Sequence, residues 1–355
     1  MKQKNIASIA LSLLLCALLA AGLLALEQGG NNYVLRIVRL CAINIVLALA
    51  MNLINGFTGL FSLGQAGFMA IGAYTTALLT IPAAKKQMIF MISPLVSPLD
   101  TLNLPFGVTL VIGGLIAAGL AFVVGLPCLR LRGDYLAIAT LGFSEIIRVL
   151  ITNAQSLTNG AQGLKSIPGN ATLWWCYGVA ALALLLMGLF VSSSYGRALK
   201  AVREDEIAAE AMGISLLKHK MLAFMLSAFL AGVGGGLLAA YNGTIGPDMF
   251  RVTQTYNVLM IVVMGGMGSI TGSVLAAFVV TIGQEWLRVL DGPISLGPIQ
   301  TSGIAGMRMV VFSGLLLVVI LFFRNGLMGT REFSWTAVLR RLKGPLSPRG
   351  KEAKP

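Results

Sequence analysis

The chain has 355 residues, of which 57% are apolar and 11% are charged, and its mean hydropathy is +0.86. This composition lies far outside the range of soluble domains and indicates an integral membrane protein. The formal net charge of +13 does not indicate nucleic-acid binding, because the basic residues lie between and after apolar runs and form no continuous stripe with aromatic residues.

Long apolar runs recur along the chain, separated by short polar breaks. The alternation at period two that is typical of barrel strands is absent from the sequence. Because a membrane-spanning helix needs about 20 mostly apolar residues, the sequence predicts an all-α polytopic bundle of about eight to ten transmembrane helices with glycine-interrupted segments. The candidate spans are Ile6–Leu26, Val34–Asn52, Ser62–Ile81, Gly107–Pro127, Tyr135–Asn153, Leu173–Ser193, Met221–Tyr241, Thr255–Met267, Ser269–Leu290 and Ser302–Phe323.

The two ends of the chain need separate interpretation. Ile6–Leu26 follows two lysines, as a signal peptide would, but it is longer than the apolar core of a signal peptide, which favours a retained helix. Residues 1–330 are therefore predicted to form the transmembrane domain. The basic, proline-bearing segment 331–355 is predicted to be a disordered tail that anchors orientation near anionic lipid.

The distribution of basic residues predicts the orientation of the helices. Placing the amino terminus in the cytoplasm puts most of the 26 lysines and arginines on the cytoplasmic side, as the positive-inside rule requires. Both termini are then cytoplasmic. The eighth span, Thr255–Met267, is too short to cross comfortably, and whether it crosses or turns back stays open.

Small residues recur at every fourth position in three of the spans. Such rows allow helix backbones to approach closely in lipid, so they predict a compact bundle. The rows are Gly113-Ala117-Ala121-Gly125, Ala228-Gly232-Gly236-Ala240 and Gly268-Gly272-Ala276.

The stretch NLINGFTGLFSLGQAGFMAIGAYTTALL, residues 52–79, has irregularly spaced glycines together with asparagines and a glutamine. Polar or irregular backbone is tolerated at membrane depth only where it is buried in protein or lines a wet cavity. The stretch therefore indicates either a path for a polar solute or a short cytoplasmic turn from Asn52 to Gly59.

A second interruption, NVLMIVVMGGMGSITGSVLAAF at residues 257–278, lies in the other half of the chain. Paired glycine-interrupted segments in the two halves of a transporter point to its substrate site. This favours the path over the turn. The predicted translocation path is lined by Asn52, Asn55, Gly64, Gln65, Gly265, Gly266 and Gly268.

Between the sixth and seventh spans, residues 193–221 form a polar segment with helical character. Glu204, Asp205 and Glu206 favour the start of a short helix, and Gly213 favours its end. Between them Ala208 and Ala209, with Ala211 and Met212, form a small apolar face. That face suits either a groove on a partner protein or the membrane surface.

The chain has no G-x-x-x-x-G-K-[ST] phosphate loop, so any nucleotide-driven work must come from another polypeptide. No catalytic residue, metal or cofactor is predicted.

Three long motifs in order carry a family resemblance: NGFTGLFSLGQAGFMAIGAYTTALL, GDYLAIATLGFSEIIRVLITNAQSLTNGAQGL and YGRALKAVREDEIAAEAMGISLLKHKMLAFMLSAFLAGVGGGLLA. From about Val34 to Leu327 the chain resembles the high-affinity branched-chain amino acid ABC importer permeases, and within them the LivM-type subunits. The resemblance implies a permease, not an enzyme, that moves leucine, isoleucine and valine across the bacterial inner membrane by alternating access. It also implies partners: a LivH-type permease, two cytoplasmic ATPase subunits of LivG and LivF type, and a periplasmic binding protein that holds most of the selectivity.

Within residues 197–220, the segment Arg203–Ser215 resembles the EAA loop, the cytoplasmic helix through which such permeases contact their ATPases. Against the form E-A-A-x-x-x-G, Ala208, Ala209 and Gly213 match, whereas Ile207 takes the acidic place and Glu206 precedes it. The resemblance therefore implies an ATPase-coupling role for Glu204, Asp205, Glu206, Ala208, Ala209 and Gly213.

Three alternatives accompany this interpretation. A LivM-like permease is similar enough to serve urea, short amides or other amino acids. An ion-coupled secondary transporter would need no ATPase. A structural membrane anchor is disfavoured, because the two glycine-rich polar segments would then have no purpose.

Overall fold

The computed structural model describes residues 21–24, 27, 29, 31–90, 94–96, 99–131, 133–288, 294–296, 299–301, 310–311, 313–314, 317 and 326–329. The first and tenth predicted spans lie largely outside this part of the chain, and the tail 331–355 lies wholly outside it. The α-helices are α1 (Asn32–Asn52), α2 (Gln65–Thr80), α3 (Ala83–Ile89), α4 (Phe106–Cys128), α5 (Asp134–Asn153), α6 (Gln155–Thr158), α7 (Leu173–Ser192), α8 (Ser194–Glu204), α9 (Glu206–Ala211), α10 (Leu216–Asn242), α11 (Val252–Gly265) and α12 (Ile270–Trp286).

Shorter elements complete the described structure. A π-helical turn, Leu53–Phe57, extends α1, and two 3₁₀ turns cover Gly160–Gln162 and Pro247–Phe250. After α12, the strands β1 (Ile294–Leu296) and β2 (Ile299–Thr301) form a small antiparallel hairpin. This hairpin is an addition to the otherwise helical fold that the sequence predicted.

Five described helices are long and apolar enough to cross a membrane: α1 with its extension, α4, α5, α7 and α10. Helices α2 and α3 would add a sixth span, but they are bent by 119° relative to each other. The predicted polytopic helical bundle is confirmed. The eighth and ninth predicted spans are the short helices α11 and α12, of 14 and 17 residues.

Helices α1 and α10 form the centre of the bundle. Most of the residues of both are buried, and the two helices pack against each other. Helix α10 also packs against α2 and α4, and α1 packs against α7 and α12. In contrast, α5 and α7 leave large apolar side chains such as Leu150 and Leu185 exposed on the isolated chain. An apolar surface of this kind suits lipid or another membrane subunit.

Glycines allow α2, α4 and α10 to cross almost in backbone contact. A Cβ atom added to Gly72 of α2 would lie 2.0 Å from the carbonyl oxygen of Gly232 in α10. One added to Gly113 of α4 would lie 3.0 Å from the carbonyl oxygen of Gly72. The first two predicted rows of small residues are therefore confirmed as packing seams.

Contacts between α1 and α10 define two ends of the bundle. At one end, Arg36 of α1 meets Tyr241 of α10. Farther along both helices, Ser227 donates a hydrogen bond to the carbonyl oxygen of Ala50. At the other end, Lys220 pairs with Glu206 of α9. We call the end that carries α8 and α9 the loop end, and the end at Arg36 the far end.

Candidate functional site

The two glycine-rich interruptions meet at the side chain of Asn52, the last residue of α1, which is 0% exposed. Its Oδ1 atom accepts a hydrogen bond from the backbone N–H of Gly268 at 2.8 Å. Its Nδ2 atom donates to the carbonyl oxygen of Ser269 at 2.8 Å and to Oγ of Ser273 at 2.9 Å. One side-chain amide therefore joins the two halves of the chain. We call residues 52–64 and 265–273 together the junction.

Glycine is required where the two segments approach each other in the junction. A Cβ atom on Gly56 would lie 2.4 Å from the backbone nitrogen of Gly268 and 1.9 Å from Oδ1 of Asn52. Gly268 itself has a φ of +90°, a conformation that side chains strongly disfavour. The hydrogen bonds of Asn52 therefore require glycine at both position 56 and position 268.

The chain leaves α1 through the π-helical turn Leu53–Phe57, a feature that often marks functional sites. Asn55 lies in this turn, and its Oδ1 atom accepts a hydrogen bond from the backbone N–H of Ser62 at 3.2 Å. The alternative interpretation, a short turn from Asn52 to Gly59, does not match the backbone, which stays helical as far as Phe57.

The connector between Phe57 and α2 is non-helical, and all of it except Gly59 and Phe61 is buried. The backbone N–H groups of its buried residues nevertheless all have acceptors, as buried groups require. The N–H of Leu63 donates to Oγ1 of Thr140 in α5 at 3.0 Å, and Gly64 packs against the same threonine. These contacts fix the connector against the bundle.

The start of α2 is tied to the centre of the bundle in the same way. The N–H of Ala66 donates to Oγ1 of Thr255 in α11 at 3.0 Å. The Nε2 atom of Gln65 donates to the carbonyl oxygen of Leu47 in α1 at 3.2 Å. In this conformation, Asn52, Asn55 and Gln65 all bind other parts of the protein.

The second interruption reverses the chain between α11 and α12. A Cβ atom on Gly265 would lie 2.6 Å from the carbonyl carbon of Gly272, and Gly266 has a φ of +105°. The N–H of Leu327 then covers the end of α11 by donating to the carbonyl oxygen of Met264 at 2.8 Å. All seven predicted path residues thus belong to the junction or border it.

The junction lies near the loop end. Asn52 follows Arg36 by 16 residues on α1, a rise of about 24 Å. The hydrocarbon core of a bilayer is about 30 Å thick. If the far end lies at one surface of this core, the junction therefore lies close to the opposite surface.

The segment between α7 and α10 has the predicted helix and glycine stop. Asp205 caps α9 by accepting hydrogen bonds from the N–H groups of Ile207 and Ala208 at 2.8 and 3.0 Å. Glu206 binds Nζ of Lys220 at 2.6 Å, which holds α9 against α10. Gly213 follows the helix with a φ of +82°.

The outward face of α9 differs from the apolar face expected from the sequence. Ala209 is only 4% exposed and packs inward, because the Lys220–Glu206 ion pair turns that side of α9 towards α10. Ala208 and Glu204 are exposed. Ile207 and Met212 are 76% and 82% exposed, so they are the large apolar groups available to a partner. Sequence reasoning missed Ile207, which stands in the place of an acidic residue.

Arg203, at the end of α8, reaches from this segment into the junction. Its Nη1 atom donates to the carbonyl oxygen of Gly56 at 2.9 Å. A Cβ atom on Gly59 would lie 2.6 Å from Cγ of Arg203, and one on Gly268 would lie 2.8 Å from Nη1. Three glycines from the two interruptions thus make room for one arginine. No local pattern in the sequence indicates this contact, which joins residues 147 positions apart.

A cavity of about 210 Å³ lies at the far end between α1, α10, α11 and α12. We call it the amide cavity. Buried apolar residues that include Leu238, Val258 and Ile261 form part of its wall. Its polar lining is neutral and consists of Asn44, Asn242, Gln254, Asn257 and Gln284. Ligand sites commonly combine an apolar wall with a few placed polar groups. The sequence reading missed this cavity.

Comparison with known proteins identifies similar chains. The family model described as "Branched-chain amino acid transport system / permease component" matches residues 33–321. The high-affinity branched-chain amino acid transport system permease protein LivM of Escherichia coli is 39% identical over 267 residues, 66% of this chain and 58% of that protein. LivM of Salmonella typhimurium is 38% identical over 261 residues, 64% of this chain and 57% of that protein.

A probable branched-chain amino acid transport permease protein LivM of Methanocaldococcus jannaschii is 26% identical over 249 residues, 63% of this chain and 72% of that protein. The chain thus matches less than two thirds of the length of the two bacterial LivM proteins. No solved structure matches.

We predict that Asn52→Ala lowers the free energy of unfolding by about 1–3 kcal/mol, because it removes the acceptor of the buried Gly268 N–H and the hydrogen bonds that Nδ2 donates to Ser269 and Ser273. Thermal unfolding in detergent measures the stability, and amide hydrogen exchange at Gly268 measures the local opening. Asn153→Ala is the matched control, since the side chain of Asn153 is exposed and its one hydrogen bond within the described structure is to the carbonyl of Val149 on its own helix. Equal stability of the two variants would contradict a joining role for Asn52.

Proposed function

The chain belongs to the family of branched-chain amino acid transport permease components, and from this we propose that it is the LivM-type subunit of an ATP-driven importer of branched-chain amino acids. In this proposal it lies in a bacterial inner membrane with both termini in the cytoplasm. The observation that carries the mechanism is the hydrogen bond from Arg203 to Gly56. It connects the segment that resembles an ATPase-coupling loop to the junction of the two interrupted spans.

The proposed path runs from the amide cavity at the far, periplasmic end to the junction at the loop, cytoplasmic end. In the described conformation the junction is buried and hydrogen-bonded, which supports a closed cytoplasmic end. The amide cavity lies above it. The predicted path residues Asn52, Asn55, Gly64, Gln65, Gly265, Gly266 and Gly268 then form the cytoplasmic gate, and they would meet the solute when the gate opens.

Alternating access requires an element with two conformations whose equilibrium is shifted by events at both ends of the path. In our proposal, ATP binding by partner ATPases moves α8 and α9 together. Arg203 carries this movement to Gly56 and Gly268, which breaks the Asn52 hydrogen bonds. Packed backbones of this kind shift between discrete arrangements rather than deforming continuously.

The neutral lining of the amide cavity supports a solute without net charge, such as a zwitterionic amino acid. Its apolar wall supports an aliphatic side chain. Urea, short amides and other amino acids remain alternative substrates of the same mechanism, and competition with labelled leucine uptake separates them.

The proposed partners occupy different surfaces. Two ATPase subunits dock at the loop end, where Ile207 and Met212 project. A periplasmic binding protein delivers substrate at the far end, and a LivH-type permease completes the transmembrane unit. Membrane lipid covers the remaining apolar faces, including those of α5 and α7.

The decisive experiment reconstitutes the chain in proteoliposomes with its partner permease, ATPases and binding protein. We predict uptake of labelled leucine that depends on ATP and on every partner. Collapse of the ion gradients should leave this uptake intact. Uptake that persists without ATP would instead favour an ion-coupled secondary transporter.

We predict that Arg203→Ala separates ATP hydrolysis from transport. Loss of the charged hydrogen bond and of the side chain between three glycines should reduce leucine uptake about tenfold or more, while the assembled complex still hydrolyses ATP. Arg197→Ala is the matched control, because Arg197 lies on the same helix and, among the described residues, its side chain binds only Ser192 and Ser194. A parallel fall in assembly, hydrolysis and uptake for Arg203→Ala would indicate a purely structural role.

For the ATPase contact, we predict that Ile207→Glu combined with Met212→Glu abolishes copurification of the ATPase subunits, because a docking groove would have to bury two charges. Met88→Glu at the far end is the control, since Met88 is similarly exposed at 73%. Normal copurification of the double variant would refute docking through α9.

A further inference from the structure

A second cavity, of about 420 Å³, lies at the far end beside the amide cavity. Two arginines one helical turn apart on α1, Arg36 and Arg39, line it together with Tyr241 and Asn242 of α10. The remaining described lining residues, Asn32, Leu35, Gly169, Ala171 and Ala240, are neutral. The cavity therefore carries two positive charges and no lining carboxylate among the residues described.

Of the two arginines, only Arg36 has a described hydrogen-bond partner. Its Nε atom donates to the hydroxyl of Tyr241 at 3.1 Å, and its guanidinium lies 5.7 Å from the centre of that ring. Glu285 interacts electrostatically with Arg36, but the ion pair that Glu285 forms is with Arg288, at 3.6 Å. Arg36 is thus oriented by a neutral group and retains donors for a ligand.

Arg39 has no such partner. Within the described part of the chain, its buried Nε atom has no hydrogen-bond acceptor and no carboxylate pairs with its guanidinium. Leaving a buried charged donor unsatisfied costs free energy. A group of this kind at the wall of a cavity is available to an acceptor that enters the cavity.

The acceptor that best matches a guanidinium is a planar carboxylate, which accepts two parallel hydrogen bonds. The neighbouring amide cavity supplies the complementary environment for the rest of an amino acid. Asn242 lines both cavities. On α1, Arg36, Leu40 and Asn44 follow one another at every fourth position, so one helix face leads from one cavity into the other.

We infer that the two-arginine cavity is a carboxylate-binding site that receives the amino acid at the periplasmic mouth of the path. This inference rests on the proposed function. Arg39 is the principal carboxylate-binding residue of the site. The substrate carboxylate binds Arg39 and Arg36, the ammonium group faces amide oxygens of the adjoining cavity, and the aliphatic side chain lies towards Leu238 and Val258. A carboxylate side chain of the docked binding protein could bind the same two arginines. The experiment below distinguishes it from the substrate carboxylate.

The test uses the complete complex in nanodiscs and measures equilibrium binding of labelled leucine without the binding protein. Isocaproate, which is leucine without its amino group, should compete. Isoamylamine, which lacks the carboxylate, should not. Arg39→Gln should weaken leucine binding about tenfold or more, and Arg39→Lys should fall between, since it keeps the charge but loses the two-pronged donor.

Arg251→Gln is the matched control at the same end, because Arg251 already pairs with Asp248 at 2.5 Å. It should leave leucine binding unchanged. The melting temperature of Arg39→Gln should stay the same or rise, since the variant removes an unpaired buried donor. A structural role for Arg39 predicts the opposite shift.

Three results would overturn the inference. The first is unchanged leucine affinity in Arg39→Gln. The second is weaker docking of the binding protein with leucine affinity intact, which would assign the site to a docking carboxylate. The third is an effect seen with phosphatidylglycerol but not with phosphatidylcholine nanodiscs, which would assign it to a lipid headgroup. If wild-type complex lacks ATP-dependent uptake, the proposed function fails; if only the Arg39 effect is absent, this inference alone fails.

Discussion

The structure depends on one constraint: buried backbone groups need hydrogen-bond partners wherever water is absent. The two glycine-rich interruptions leave such groups without partners in their own helices. The side chain of Asn52, at the start of the first interruption, hydrogen-bonds to backbone groups of the second. Thr140 and Thr255 do the same for the connector and for the start of α2. The interruptions are stable because they satisfy each other.

Glycine makes these hydrogen bonds between the two interruptions possible. The crossing of α2, α4 and α10 at Gly72 and its neighbours brings backbones together, so that short polar side chains reach across. In the junction, Gly56 and Gly268 provide the same closeness and also leave space for Arg203. Because Arg203 of α8 contacts both interruptions at once, a movement of α8 would displace the two interruptions together.

The two ends of the bundle are chemically different. At the loop end, polar groups are packed against one another and hydrogen-bonded. At the far end, neutral amides line one cavity and two arginines line another. A packed end opposite an end with two polar-lined cavities is the arrangement that the proposed importer requires when its cytoplasmic side is closed.

The sequence by itself determined the features that depend on local composition. Apolar length sets which segments span, glycine and asparagine mark the interruptions, and Asp205 and Gly213 mark the ends of α9, because each signal acts within a few residues. Only the tertiary structure decided that Asn52 binds Gly268, 216 residues away, that Ala209 faces inward while Ile207 projects, and that amide side chains from four helices share a cavity. Such outcomes depend on the rotation and crossing of packed helices, which no local pattern encodes.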